Sequence, residues 1–230
     1  MSFAKKSTNK EDVKSGGTSY IVGSGVYPVK LLAPFVNTAA SGSEVVDFFL
    51  EHEGQQQALY GNLRVSNKND AQGETVPNTI GMRVFNQLLV IADVEEVSDA
   101  VEGDLPIGKG NIDKTVAILE DLCDAEVLIR VQMEYGLYQG KIQERKVIKG
   151  FYRLSDKATA EEIVNETEAG IGYEKDSKYF NNITFKDDLT QETIDAWIKG
   201  GRKGTTEGTA GTAAKKTATT SKKRFGKKAS

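Results

Sequence analysis

The first third of the chain contains three runs in which apolar and polar residues alternate, the pattern of β-strands that bury one face. The first run covers 25–35, and its prolines, Pro28 and Pro34, indicate an edge strand or a bulge because proline cannot donate to a ladder. The second and third runs cover 44–51 and 56–65, and a tight turn at Glu53-Gly54 joins them. The residues expected on one face of the first strand are Tyr27, Val29, Leu31, Ala33 and Phe35.

A helix is predicted after the third strand. An apolar stripe at helical spacing runs from Ile80 to Ala92, and Asn78 or Thr79 can cap it. The acidic, glycine-containing stretch 95–111 predicts a loop, and two further strands follow over 127–135 and 141–153. Three strands, a helix and two strands is the order of an OB-fold, a five-stranded, partly open barrel with its helix between strands 3 and 4. OB-folds bind oligonucleotides across strands 2 and 3 and the adjacent loops, here 37–43 and 135–140.

The pattern becomes helical after Arg153. Thr159 and Glu162 form a capping-box signal for a short helix, and Thr190 can cap another one that carries Trp197. The sequence is therefore mainly β, with an OB-fold domain predicted over 20–154 and a helical extension over 155–200. Residues 1–19 and 201–230 have the composition of disordered basic segments.

Charge is distributed unevenly along the 230 residues, although the net charge of the whole chain is only −3. Residues 199–230 carry ten basic residues and one acid, residues 1–19 carry a net +2, and the residues between them carry a net −14. A single cysteine, Cys123, excludes an internal disulfide. The apolar runs are too short for a membrane span, and we expect no secretory signal.

The basic pair of strands is the clearest functional signal. Six positive residues and two acids lie between 127 and 153, with Tyr135, Tyr138 and Tyr152 interleaved. Single-stranded nucleic acid is bound by cations that follow its phosphates and by rings on which its bases stack. The alternative is that the charges keep an exposed strand soluble while the aromatic rings pack in the core. A core position fits Tyr135 better than Tyr138. Together with strand 3, the predicted binding residues are Tyr60, Arg64, Lys68, Arg130, Tyr138, Lys141, Arg145, Lys146, Lys149 and Tyr152.

Two further features bear on this interface. Phe49 lies between Asp47 and Glu51 on the polar face of its strand, and we expect the C-terminal helices to cover it, with base stacking as the alternative. The basic segment 201–230 is a second candidate for phosphate contact, and a solubilising role is its alternative.

An enzyme is the first alternative function. Glu144 and Lys146 match half of a metal-dependent nuclease site, and Glu134 on the neighbouring strand supplies a second carboxylate. The match of 103–109 to a phosphate-binding loop is rejected, because Gly110 stands where Ser or Thr is needed. His52 is the only histidine, which argues against a zinc site or a catalytic triad. Our leading interpretation therefore has no catalytic residue, metal or cofactor, and an OB-fold protein-interaction module without DNA binding is the second alternative.

Several short motifs resemble the single-stranded DNA-binding proteins of tailed bacteriophages. They are the opening Met-Ser-Phe-Ala-Lys-Lys, Gly25-Val-Tyr-Pro-Val29, Tyr60-Gly61 with Val65-Ser-Asn-Lys68, Ile80-Gly-Met82, Arg130-Val-Gln with Tyr135, Val147–Arg153 and Ile183–Thr190. The resemblance implies a non-enzymatic OB-fold protein that coats single-stranded DNA during phage replication or recombination, in the cytoplasm of the infected bacterium. Many such proteins end in an acidic segment that recruits replication proteins, whereas this chain ends basic. The acidic body is therefore the expected surface for phage replication proteins, and a homodimer is one option for the oligomeric state.

Overall fold

A computed structural model describes residues 20–39, 42–67, 79–108, 110 and 112–202. The predictions for 1–19, for most of 201–230, for Lys68 and for the cap at Asn78 lie outside this part of the chain. The strands are β1 (Gly25–Thr38), β2 (Glu44–His52), β3 (Gln55–Arg64), β4 (Val101–Leu105), β5 (Lys114–Ile118), β6 (Glu126–Tyr138), β7 (Lys141–Arg153) and β8 (Ile183–Phe185). The helices are α1 (Thr79–Ala92), α2 (Ala160–Val164), α3 (Ile171–Ser177) and α4 (Gln191–Lys199).

The fold is mainly β, as predicted, but the described part of the chain forms eight strands rather than five. Hydrogen-bonded neighbours run β3-β2-β1-β5-β4, and β6 pairs with β1, β7 and β8. No ladder joins β3 to β7 among the described strands, so the sheet is open and a closed OB-fold barrel is not confirmed. The β4–β5 pair was missed because its short strands lie partly in the acidic stretch expected to be a loop. No helix in the described ranges is long and apolar enough to cross a membrane.

A bulge in β1 divides that strand between two cores. Leu31 is opposite Leu50 and Ala33 is opposite Phe49, so Leu32 is an extra residue in the ladder. Side chains alternate along a strand, and one extra residue therefore moves all that follow to the other face. Leu31 packs in the main core, whereas Ala33 and Phe35 pack in a second one. The prediction of a bulge is confirmed, but the single apolar face and an edge position for β1 are wrong.

The main core lies between the inner face of the sheet and α1. It contains Leu31, Phe48, Leu88 and Ile129, all completely buried. Gly81 brings α1 against β3, because a Cβ there would lie 1.5 Å from the carbonyl oxygen of Arg64. Ile80, which we expected in the apolar stripe, is instead 75% exposed.

The extension after Arg153 packs on the β6–β7 hairpin. β8 pairs with β6 in parallel at Met133–Tyr135, along the same edge of β6 that pairs with β1 over 126–131. Ile194 and Trp197 of α4 pack with Met133, Tyr135 and Ile142 in a third core. The predicted capping box at Thr159 and Glu162 is present.

Candidate nucleic-acid interface

A cleft of about 480 Å³ lies between β3, the end of the β4–β5 hairpin and β7. We call it the β3 cleft. Tyr20, Tyr60 and Lys146 contribute exposed or half-buried side chains to its wall. The other residues that line it are Phe49, Gln55, Gln56, Gln57, Ala58, Pro106 and Ile107.

Two tyrosine rings in the β3 cleft are available to a ligand. Tyr60 is 48% exposed and Tyr20 is 47% exposed. The Tyr60 ring is held in place, because its hydroxyl donates to the carbonyl oxygen of Ile107 at 2.7 Å and its edge contacts Phe35 at 6.4 Å between ring centroids. Burial, with the nearby charge of Asp47, raises the pKa of Tyr60, so the hydroxyl stays protonated and donates. A fixed, exposed ring is a suitable platform for a base.

Gln57 lines the β3 cleft, but its side chain points to the main-core face of β3, because it is opposite Leu50 in the ladder. Its side-chain oxygen accepts from the backbone nitrogen of Ile21 at 3.1 Å, which orients the amide. Its Nε2 atom is buried and has no partner among the described residues. Such unsatisfied donors are rare and cost about 1–3 kcal/mol. This donor therefore needs an acceptor that the described residues do not supply, such as a water or a ligand atom.

Lys146 supplies the positive charge of the β3 cleft. Burial lowers the pKa of its ammonium group, Glu144 raises it and Arg202 lowers it again. Glu144 is itself occupied, because Arg202 pairs with it at 3.2 Å. A phosphate beside Lys146 would therefore stabilise an ammonium group that is partly desolvated and has no ion pair in the described structure.

Arg64 is on the same face of the sheet as Tyr60. It is opposite Val45 in the ladder and donates to the hydroxyl of Ser43 at 2.8 Å. The loop predicted to flank the interface, 37–43, is described except for residues 40 and 41. Arg64 therefore extends the surface of the β3 cleft toward this loop.

The basic hairpin presents a second surface, which we call the hairpin face. Tyr138 and Lys141 are directly opposite each other next to the turn, and Gln143, Arg145 and Lys149 continue the surface along β7. Tyr138 is 56% exposed. Lys141 and Arg145 are exposed and make no ion pair within the described ranges. Lys149 instead pairs with Glu134 at 2.8 Å.

The β3 cleft and the hairpin face meet at β7. Arg145 and Lys146 are neighbours in the strand and point to opposite sides, because side chains alternate. β7 pairs with β6 alone, so its other edge has no ladder partner in the described part of the chain. The two surfaces are therefore separated by the width of one strand.

Arg130 and Tyr152 lie in neither surface. Tyr152 is only 2% exposed, its hydroxyl donates to Asp176 at 2.7 Å, and its ring contacts Tyr173 and Phe180. Arg130 donates to the same carboxylate oxygen at 3.0 Å. A ring buried in this way cannot stack on a base, so the prediction for Tyr152 is wrong, and Arg130 is occupied by an internal ion pair.

The carboxylates of the nuclease alternative do not converge. Glu134 is opposite Arg145 and Glu144 is opposite Tyr135, so the two carboxylates lie on different faces of the hairpin. Glu134 is held between Lys149 and Lys186, with Nζ to oxygen distances of 2.8 and 2.6 Å. No group of three His, Cys, Asp or Glu side chains in the described ranges is arranged to hold a metal ion. The arrangement required for two-carboxylate metal binding is therefore not assembled.

The remaining candidates have structural partners. Phe49 is covered as expected, but by Leu105 and Val116 of the β4–β5 hairpin rather than by the C-terminal helices. The ring of His52 faces Tyr27, and its Nδ1 lies 2.8 Å from the carbonyl oxygen of Pro28. Burial raises the pKa of the Cys123 thiol. The first residues of the rejected phosphate-loop match, 103–105, belong to β4.

Sequence reasoning missed Tyr20, Gln57 and Ile107. Tyr20 precedes the first strand, and no periodicity identified it as part of a surface. Ile107 follows a strand that was expected to be a loop. No family model matches the chain, and no curated protein matches it.

Proposed function

We propose that the protein binds single-stranded DNA without strong sequence preference, as the phage proteins that it resembles do. One observation carries the proposal: two exposed tyrosine rings and a lysine line one cleft beside the face of β2 and β3 that carries Phe49 and Tyr60. Rings supply stacking to any base, and cations supply contacts to any phosphate. A mainly β sheet with a helix after its third strand also supports an OB-related fold, in which this face is the usual ligand surface.

The DNA track that we propose begins in the β3 cleft and crosses the edge of β7 to the hairpin face. Bases stack on Tyr20 and Tyr60, and the phosphates next to them contact Lys146 and Arg64. The strand then reaches Tyr138, Lys141 and Arg145. This track uses seven of the ten predicted residues, counting Lys149 at its margin. It leaves out Arg130 and Tyr152, and Lys68 lies outside the described residues.

A binding titration with a labelled oligonucleotide tests the track. The double variant Tyr60→Ala with Lys146→Glu should weaken affinity by about tenfold or more, because a stack and a phosphate contact are lost together. Tyr60→Phe should retain most of the affinity, since it keeps the ring and loses only the hydrogen bond to Ile107. The measurement is fluorescence anisotropy at two salt concentrations.

A matched control uses another exposed tyrosine–lysine pair. Tyr179 is 44% exposed, and the Lys178 Nζ lies 4.9 Å from the centre of its ring, outside both proposed surfaces. Tyr179→Ala with Lys178→Glu should leave affinity within about twofold of the parent. An equal loss in both double variants, or none in either, would reject the β3 cleft as the binding surface. No binding by the parent chain at low salt would favour the protein-interaction module instead.

A further inference from the structure

An apolar groove with an acidic rim lies where the end of α1 meets α2. We call it the α1–α2 groove. Its volume is about 430 Å³, and Leu89, Val90, Val94 and Ile163 supply its apolar lining. These four residues are only partly buried, because they rest on the main core and leave one side open.

The rim of the α1–α2 groove is negative for two reasons. Asp93 and Glu95 line it, both are exposed, and neither makes an ion pair within the described ranges. The C-terminal end of α1 has no basic residue in its last turn to balance the negative end of the helix dipole. The groove therefore favours a ligand that combines an apolar group with positive charge.

The chain contains one segment with this chemistry. Residues 222–228 read Lys-Lys-Arg-Phe-Gly-Lys-Lys, with five cations around Phe225, the one aromatic residue beyond Arg202. Residues 1–19 are a weaker match, because their net charge is only +2.

The segment can reach the α1–α2 groove from its own chain. About 20 residues rich in Gly, Thr and Ala separate it from Arg202. Fully extended they span roughly 65 Å, whereas a body of this size has a radius of gyration of roughly 16 Å. Tethering also gives the segment a high effective concentration at the groove.

We propose that residues 222–228 dock in the α1–α2 groove of the same chain, with Phe225 on Val90 and Ile163 and the neighbouring cations against Asp93 and Glu95. The segment is then a ligand of the protein's own acidic body when no DNA is present. Any polyanion, including single-stranded DNA, competes with that body for the same cations. The docking uses none of the residues of the proposed DNA track and therefore stands independently of it.

Photo-crosslinking of the full chain tests the docking. With p-benzoylphenylalanine in place of Phe225, irradiation without DNA should join position 225 to the peptides that contain Val90 or Ile163. The crosslinked product should remain monomeric at low and high protein concentration. The same photoreactive residue in place of Thr209, among small polar residues, should give much less of this product.

Charge-reversal variants make the test specific. Asp93→Lys with Glu95→Lys should lower the yield of the groove crosslink by roughly fivefold or more, since two surface ion contacts become repulsive. Glu102→Lys with Asp113→Lys, exposed acids of the β4–β5 hairpin, should leave the yield unchanged. Crosslinks scattered over the surface, a yield insensitive to the groove variant, or a product formed only between chains would each overturn the proposal.

Discussion

At the residue scale, one carboxylate determines what Tyr152 and Arg130 do. Asp176 Oδ2 accepts hydrogen bonds from the hydroxyl of Tyr152 and the guanidinium of Arg130, at 2.7 and 3.0 Å. Burial and the bond to Asp176 raise the pKa of the Tyr152 hydroxyl well above its usual value. Both side chains therefore link β6 and β7 to α3, and neither is free to bind a ligand.

A conservative substitution separates this structural role from a binding role. Tyr152→Phe removes the hydrogen bond but keeps the ring, and Asp176 retains Arg130 as a partner. We expect a loss of about 1 kcal/mol in the free energy of unfolding and no change in affinity for single-stranded DNA. Urea denaturation and fluorescence anisotropy measure the two quantities. A large loss of affinity for single-stranded DNA with unchanged stability would show instead that Tyr152 contacts the DNA.

At the element scale, α4 supports the part of the hairpin that extends past the main core. The β6–β7 face that packs in the main core at Ile129 and Val131 continues at Met133 and Tyr135, where α4 covers it. Trp197 meets the ring of Tyr135 edge to face, with centroids 6.3 Å apart. The extension thus supports the strands that carry the hairpin face.

Two isoleucines of α4 test this support. Ile194 is 1% exposed in the third core, whereas Ile198 is 43% exposed on the same helix. Ile194→Ala should lower the free energy of unfolding by about 3 kcal/mol, because it leaves a cavity. Ile198→Ala should cost well under about 1 kcal/mol. Equal effects of the two substitutions in urea denaturation would contradict the packing of α4 on the hairpin.

At the scale of the whole molecule, internal ion pairs make stability depend on acid pH. Burial alone would raise the pKa of Glu134, but its bonds to Lys149 and Lys186 outweigh this effect and hold the pKa below its ordinary value of 4.5. Asp156 behaves similarly, since Arg153 and a backbone N–H lower its pKa to about 2. A carboxylate with a lowered pKa stabilises the fold at pH values above its ordinary pKa. This contribution is lost as the pH falls through the lowered pKa.

The variant Glu134→Gln tests the contribution of the carboxylate that two lysines bind. At neutral pH it should lower the free energy of unfolding by about 2 kcal/mol, since two charge-assisted hydrogen bonds are weakened. The difference from the parent should shrink as pH falls below 4.5 and through the lowered pKa of Glu134. Glu126→Gln, an exposed position on the same strand, is the control and should change little. A difference that is constant over pH 3–6 would show that Glu134 contributes by packing alone.

The sequence by itself determined the local pattern of the fold. Alternation identified β1, β2, β3 and the β6–β7 hairpin, the Glu53-Gly54 turn has the positive φ angles expected, and the capping box at Thr159 is present. These features depend on residues close in the chain, and local rules suffice for them. The uneven distribution of charge, with basic ends and an acidic body, also follows from the sequence alone.

Only the tertiary structure decided which residues share a surface. One extra residue in β1 reversed the faces of Ala33 and Phe35, and an unpredicted hairpin covered Phe49 and brought Ile107 to Tyr60. Tyr152 and Arg130 both donate to Asp176, which is distant in sequence, and for this reason they do not belong to the candidate site. Pairing register, bulges and long-range packing determine these contacts, and the spacing of residues along the chain does not predict them.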